Sequence, residues 1–512
     1  MDNDGGGNFP DRATPYDEFR YPGKFYPHAS CEHMAMLANL SGIEAARPEC
    51  CRVLEIGCGE GGHLAPLAYA FPESSFVGVD LSQNSIERAT ELAGRLGLNN
   101  AKFIAQDLVD FPEDSGTFDY IIAHGIYSWV PEEAQEKILE ICGRHLAPNG
   151  IAYISYNTYP GAHLRQIPRD LTRFHTRNIA DPEARLREAY SIADFILAAM
   201  PEKSLERGLL SNVMAAYHAS DALTLFDLLA EINEPCYFLD FMEQAIKNGL
   251  QFVAESDIRF MRTDHLHENS RKWLDTLNDR LLREQYLDFI HTRAFRKTIL
   301  CRAGLNVNFA ATPKRMERLS VACQVAATGQ LDDVNGDDEV EFCTASGHEI
   351  VCKDAVPKAA YLELGKAFPR ALGYAQLRER VGLRIGCKGK LDPELEAKLV
   401  QVLTSSHANG LAQFYACQFP FCTEVSEKPI ASALARIQAE TEDHVSSMCL
   451  ASFALKDPFT RALLPLLDGT RNRHQIATDL KTVLGPEDAQ KINDELLEAH
   501  LKTLADCAML IG

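Results

Sequence analysis

Val53-Leu54-Glu55-Ile56-Gly57-Cys58-Gly59-Glu60-Gly61-Gly62 decides the fold of this chain. Val53, Leu54 and Ile56 flank one acid and read as a short buried strand. The glycines that follow make a turn that bulky side chains could not trace, and residues 63–70 resume as a helix. A strand, a glycine turn and a helix N-terminus place backbone N–H groups and a positive dipole end at a crevice shaped for a nucleoside. Gly57, Gly59 and Gly62 satisfy the dinucleotide spacing G-x-G-x-x-G. Glu55, Gly57, Gly59 and Gly61 equally satisfy acid-x-G-x-G-x-G. The glycines alone do not choose between the two patterns, so the flanks must.

Outward from the loop, strands are expected at 75–79, 102–105, 118–123 and 151–156. Helices are expected between them at 84–96 and 132–146, with a turn at Pro148-Asn149-Gly150. Ser82 is placed to cap the first of these helices and Gly97 to close it. Alternating strands and helices argue for an α/β, Rossmann-like, doubly wound parallel sheet. It is assigned to residues 16–165, and the sixth and seventh strands are left unplaced. Upstream, 17–28 is aromatic and irregular, and 32–42 reads as an amphipathic helix ended by Gly42.

Residues 166–310 read as mostly helical, with candidates at 164–176, 182–200, 208–217, 238–248 and 269–283 and one short strand at 249–254. A small mixed α+β segment is assigned to 311–395. It holds a hairpin turning near Ser346-Gly347 and a helix over 355–380. The last assignment, 396–512, is helical and winged-helix-like, with two helices around Asp468-Gly469-Thr470. Residues 1–15 are polar and glycine-rich, read as a frayed tail without the apolar core of a secretory leader.

A chain of 512 residues holds several domains. Its net charge of −21 repels phosphate backbones, so nucleic acid is not the expected partner. No run of about 18 apolar residues offers a membrane span. Fifteen cysteines are scattered without zinc spacing or a disulfide framework. Buried free thiols in a reducing cytoplasm are the expectation, with no metal. A homodimer is left open.

The flanks separate two cofactors. S-adenosylmethionine (SAM) needs a carboxylate just before the loop for its ammonium, and Glu55 stands there; a lone acid in an apolar strand is costly unless paired. Asp80 follows the second strand, where either SAM or NAD would present ribose hydroxyls. Gln106-Asp107 follows the third strand, in reach of an adenine amine, with a helix cap as the plainer role for Asp107. Two acids and a third after strand three tilt the choice to SAM.

Further on, His124-Gly125-Ile126-Tyr127-Ser128-Trp129-Val130-Pro131 and Ser155-Tyr156-Asn157-Thr158-Tyr159-Pro160-Gly161 close strands four and five. With VLEIGCGEGG, these phrases resemble class I SAM-dependent methyltransferases that carry a methyltransferase regulatory domain. EINEPCYFLDFMEQAIKNGLQFVAESD (231–257) and QYLDFIHTRAFRKTILC (285–301) are similar to that regulatory domain, and LLPLLDGTRNR (463–473) to the C-terminal segment of such proteins. Members include rickettsial protein-lysine methyltransferases. One departure is Ala162, where the family often has tryptophan after Pro-Gly. The resemblance implies a cofactor site of Tyr21, Glu55, Gly57, Gly59, Gly61, Asp80, Leu81, Asp107 and His124, with Tyr21 as a lid.

Methyl transfer from a sulfonium is an in-line displacement, so the enzyme must align its reactants and exclude water. Tyr127, Trp129, Tyr156 and Asn157 sit at the ends of strands four and five and are assigned to catalysis. Aromatic faces hold cations, so this rim suits an amine acceptor such as lysine; the plainer role is to cap the core. His124 stays ambiguous between cofactor contact, base and structural histidine. Three functions remain: methylation of a protein amine, methylation of a small molecule, and SAM binding by a regulator whose C-terminal module contacts DNA. Arg461, Arg471, Arg473 and His474 are the one basic cluster there, thin for a DNA-reading helix.

Overall fold

A computed structural model describes residues 20–512, apart from 22, 219, 220, 330, 332, 345 and 346 and the side chains of 486 and 487. The tail expected at 1–15, and Ser346 at the expected hairpin tip, lie outside the described residues.

The glycine loop leaves the middle of a seven-stranded sheet. Strand β1 (Arg52–Ile56) pairs in parallel with β2 (Ser75–Asp80) on one side and β4 (Phe118–Ala123) on the other. Strand β3 (Ala101–Ala105) lies outside β2, and β5 (Leu146–Asn157) outside β4. The sheet continues with β7 (Phe295–Arg302), antiparallel to β5, and β6 (Leu250–Glu255), antiparallel to β7, in the order β3-β2-β1-β4-β5-β7-β6. Strand order reverses between β1 and β4, and ligand crevices form at the strand ends of such a switch point.

The sheet therefore does not end at residue 165. Its last two strands come from the stretch read as mostly helical. Strand β5 also begins at Leu146, before the Pro148-Asn149-Gly150 turn, with an irregular register between Phe118 and Tyr120.

Pleating sends alternate side chains to opposite faces. Register puts Glu55, Ile122 and Tyr153 in one row. On that face lie Val53, Tyr120 and Ile151, under helices α1 (Cys31–Ser41) and α2 (Leu64–Ala70). Leu54, Ile56, Ile121, Ala123, Ile154 and Tyr156 form the other core, with α4 (Glu132–His145) and, further on, α8 (Phe238–Lys247). Helix α3 (Gln83–Leu96) begins at its expected cap, Ser82, and ends at Gly97 in the left-handed region.

Helix α1 is capped by Ser30 and closed by Gly42, but it is not amphipathic in use: every residue except His33 is buried. The reason is tertiary. Met316, Leu319, Val321, Phe414 and Cys417 join the same core as the sheet, so α1 is enclosed. The Ala416 N–H donates to Glu32 Oε1 at 2.6 Å.

Helices α5 (Ala162–Thr176), α6 (Pro182–Ala199) and α7 (Leu205–His218) and a π-helical turn at Thr224–Leu228 form an insertion before α8. The helix expected over 269–283 is two, α9 (Glu268–Asp275) and α10 (Arg280–His291), because Asp279 accepts from the N–H groups of Leu281 and Leu282 and starts a new helix. The helix expected over 355–380 is likewise two, Ala355–Ala367 and Tyr374–Arg384, separated at Pro369, which has no N–H to continue the ladder. The C-terminal module has its own core around Leu463, Leu480 and Leu501. It docks back on the sheet domain through Arg95–Glu440 (2.5 Å) and the Ala433 N–H to the Tyr69 hydroxyl (3.1 Å).

Candidate functional site

Gly57, Gly59 and Gly61 all have positive φ, at 71°, 50° and 75°. Only glycine accepts that without strain, so the loop can bend sharply out of β1. Packing separates the three. A Cβ on Gly57 would fall 2.8 Å from Ile126 Cδ1, and one on Gly61 3.0 Å from the Phe103 ring. A Cβ on Gly59 would meet nothing within 4 Å, so the loop there borders open space. Gly62 faces the N-terminal segment instead: a Cβ would lie 2.5 Å from the carbonyl carbon of Gly23.

Asp80, at the tip of β2, is fixed against this loop. Its Oδ2 accepts from the Gly59 N–H at 2.8 Å and its Oδ1 from the Ser82 N–H at 2.9 Å. Leu81 beside it is half exposed. Asp107, after β3, takes the plainer role weighed for it: Oδ1 accepts from the Val109 N–H at 3.1 Å and caps a short 3-10 turn.

Glu55 is the chemical anomaly. Its side chain is 3% exposed, and Oε2 has no hydrogen-bond partner among the described residues. Burial, and then the charge of Asp80, push its carboxyl well above the usual range. A buried carboxylate without a partner is strongly disfavoured, and a cation placed beside it removes that penalty. The orphaned acid and the open Gly59 backbone together fit a cofactor with a cationic end lying along the loop.

The wall of the cleft lies on the Glu55 face of the sheet. His124 Nδ1 is 2.9 Å from the Tyr153 hydroxyl. Burial, then the neighbouring His63 and Lys297, lower its imidazole to about 3, so it is neutral near pH 7. The Tyr26 ring lies against it, centroids 3.8 Å apart. Burial and the charges of Glu55 and Asp227 push the Tyr26 phenol up to about 12, while a hydrogen bond from Tyr21 lowers it. Tyr21 in turn meets Phe226 edge-on at 5.4 Å. Residues 20, 21 and 23–26 thus form a strap across the glycine loop. Its outer end is tied by Arg20 to Glu60 (2.8 Å) and to Glu442 of the C-terminal module (2.9 Å). Its inner end is tied by the Tyr26 N–H to His63 Nδ1 (3.2 Å).

The expected aromatic rim is elsewhere. Tyr127 and Tyr156 are 4% and 1% exposed and pack on the opposite face of the sheet from Glu55 and Tyr153. Tyr156 stacks on Phe241 of α8 at 4.1 Å and shares a hydrogen bond with Thr298 at 3.0 Å, and Tyr127 meets the same ring at 5.3 Å. The reason is the pleat: Tyr153 and Tyr156 are separated by an odd number of positions and must diverge. The expected cover exists, but it makes these rings core. Asn157 anchors the segment above, its Nδ2 donating to Asn233 Oδ1 at 3.0 Å. Trp129 sits partly buried in a 3-10 turn.

Tyr26, Phe226 and Asp227 were missed. Tyr26 lies in the aromatic stretch already noted, and period-based reasoning has no purchase on an irregular strap. Phe226 and Asp227 come from the helical insertion, and nothing in their local sequence points to the loop.

A family model described as a methyltransferase domain matches residues 53–150. A predicted methyltransferase regulatory domain matches 220–302, and a PKMT C-terminal winged helix domain matches 427–508. The chain is 34% identical to the Rickettsia prowazekii protein RP789 over 324 residues, covering 63% of this chain and 59% of that protein. It is 34% identical to RP028 of the same organism over 242 residues, covering 46% of this chain and 96% of RP028. The solved structure of PKMT2 from Rickettsia typhi in complex with AdoHcy matches with a TM-score of 0.84 at 26% identity, over 96% of this chain and 100% of PKMT2. No helix among the described residues is long and apolar enough to cross a membrane. The chain belongs to the SAM-dependent methyltransferases that join a methyltransferase domain to a methyltransferase regulatory domain and a PKMT-type winged helix.

Proposed function

We propose that this protein methylates a side-chain amine of a protein acceptor, lysine in the first instance. The observation that carries the reading is the likeness to PKMT2, which extends through the regulatory and winged-helix regions and not only the sheet. When bound, SAM supplies an electrophilic methyl group on sulfur. Glu55 would pair with the cofactor's ammonium, Asp80 would accept from ribose hydroxyls, and Leu81 and Asp107, the cap of the turn after β3, would border the adenine. The Gly57–Gly61 backbone follows the cofactor without side chains in the way. Tyr21 and Tyr26 close the cleft against water, and neutral His124 holds the Tyr26 ring in place.

One further feature weighs against the regulator reading, and another bears on the compartment. Arg461, Arg471 and Arg473 of the C-terminal module each pair with a carboxylate, respectively Asp443, Asp468 with Asp479, and Glu498, which leaves little charge for a phosphate backbone. All fifteen cysteines are free thiols, which suits a reducing cytoplasm. The test is incubation of the protein with methyl-labelled SAM and whole-cell lysate. Label recovered as methyl-lysine in protein is the expected result. Label only in small solutes would favour a small-molecule acceptor, and SAM binding without turnover would favour the regulator.

A further inference from the structure

We propose that Asp227 is the binding group for the acceptor's ammonium, in a second cation site between the strap and the π-helical turn; this rests on the amine-acceptor reading above.

The turn is built to hold a side chain in a fixed place. Arg169 of α5, 4% exposed, donates from Nη1 to the carbonyls of Asp227 (2.8 Å) and Leu228 (3.2 Å). Its Nη2 reaches the carbonyls of Ala230 (2.5 Å) and Glu231 (3.2 Å). Tyr190 of α6 ties in Thr224 at 3.0 Å. A buried guanidinium spent on four backbone carbonyls fixes a path that the π-helical geometry has already bent, and such bends re-aim side chains at functional sites. Yet the Asp227 carboxylate, partly buried and within the field of Arg165 and Arg169, takes part in no ion pair or side-chain hydrogen bond among the described residues. Beside it Phe226 meets the Tyr21 ring at 5.4 Å. A carboxylate beside such an aromatic pair in the chain is suited to an ammonium.

Its placement relative to Glu55 gives it a separate task. Glu55 is at the strand end, beneath the loop, where the cofactor's own cation belongs. Asp227 arrives from the helical insertion, in the turn that meets the strap where Phe226, next to it in the chain, packs on Tyr21. The Tyr26 phenol is raised by burial and by the charges of both acids. A methylation of an amine brings two cations together, and two acids, Glu55 and Asp227, both act on the Tyr26 phenol.

The charged and titratable groups facing Asp227 are Arg165 and Arg169 of α5, Tyr217 of α7 and Tyr26 of the strap. Burial raises its carboxyl to about 6 against the lowering effect of the two arginines. It is therefore anionic at pH 7.5 and loses its charge below about pH 6.

The probe is Nα-acetyl-lysine amide, titrated calorimetrically into the full chain saturated with AdoHcy. Wild type binds it, and binding weakens on going from pH 7.5 to pH 5.5. D227N, isosteric and with the carbonyl still held by Arg169, loses at least tenfold in probe affinity and loses that pH dependence. D227E recovers part of the affinity, and AdoHcy affinity stays within twofold in both variants. Unchanged probe binding in D227N, or loss of AdoHcy in parallel, overturns the assignment. If wild type labels lysines in lysate while D227N keeps the wild-type acceptor KM, the assignment falls and the function stands. If wild type neither binds the probe nor labels any amine, the function falls and takes the assignment with it.

Discussion

At the scale of single residues, Glu55 does the most with the least. Its folded-state carboxyl lies well above the ordinary carboxylate value, through burial and then Asp80. A raised carboxyl means the fold holds a proton that the unfolded chain releases. Its contribution therefore favours folding at acid pH and is lost as pH rises above the ordinary carboxylate range. Glu55→Gln should accordingly raise the thermal midpoint of the cofactor-free protein at pH 8, with the gain vanishing near pH 4. The same variant should weaken SAM binding by roughly ten- to a hundredfold, the worth of about 1.5–3 kcal/mol for a charge-assisted contact. Wild-type SAM affinity should rise with pH as the carboxyl ionises, and calorimetry across pH should show that slope disappear in Glu55→Gln. Gly59→Val tests the neighbouring backbone. Its Cβ would clash with no protein atom, so folding should survive apart from the strain of φ 50°, while SAM binding is blocked. Normal calorimetric SAM affinity in the valine variant would remove the loop from the site.

At the scale of elements, the join between β5 and the antiparallel pair β6 and β7 rests on a buried ionic cluster. Arg296 is fully buried and meets Asp288 (2.8 Å), Glu255 (3.2 Å) and Glu284 (3.2 Å), and its guanidinium lies 3.8 Å over the Phe238 ring. Arg293 adds a second cation at 3.2 Å from Asp288. Removing one partner of such a cluster strands the rest, at a cost of about 3–5 kcal/mol. Arg296→Met should therefore lower the urea midpoint sharply, whereas Arg95→Ala, which breaks a surface pair, should shift it by no more than about 1 kcal/mol. Equal effects from the two variants would mean that the cluster is not what holds β7 in place. The strap is an element of the second kind. Arg20 is half exposed and joins Glu60 to Glu442. Exposed pairs contribute about 0–1 kcal/mol each, so Arg20→Ala should weaken AdoHcy binding by only a few-fold.

At the scale of the whole molecule, the sheet domain does not stand alone. A fragment ending at residue 165 would lack β6, β7 and α8, leaving an open β5 edge and the rings of Tyr127 and Tyr156 without Phe241. It should be insoluble or aggregate, as exposed strand edges and apolar patches do. A fragment ending at 302 restores the sheet but strips Met316, Val321 and Phe414 from the buried helix α1. It should still show a lower thermal midpoint than the full chain, measured by circular dichroism. A well-behaved 165-residue fragment that binds SAM would mean the regulatory region is a true separate domain.

How much of this was legible beforehand follows from range. Strand β1, its glycine turn, the Ser82 cap and the acids Glu55 and Asp80 are set by local chemistry: φ freedom, capping and alternation act within a few residues. Sequence reading found them. It missed β7 because FRKTILCR has no clean period, its buried Arg296 and Thr298 being satisfied by carboxylates from α10 and β6 and by the Tyr156 hydroxyl. It misjudged α1 because burial on all sides depends on a segment nearly 300 residues away, and misplaced Tyr127 and Tyr156 by crediting strand ends without asking which face each side chain leaves. The sequence by itself determined the loop, the parallel core and the cofactor's chemistry. Only the tertiary structure decided which face of the sheet carries Glu55, with its unpartnered Oε2, and His124, and that Tyr26 packs against His124 there, because those residues meet through packing of distant segments that no local pattern encodes.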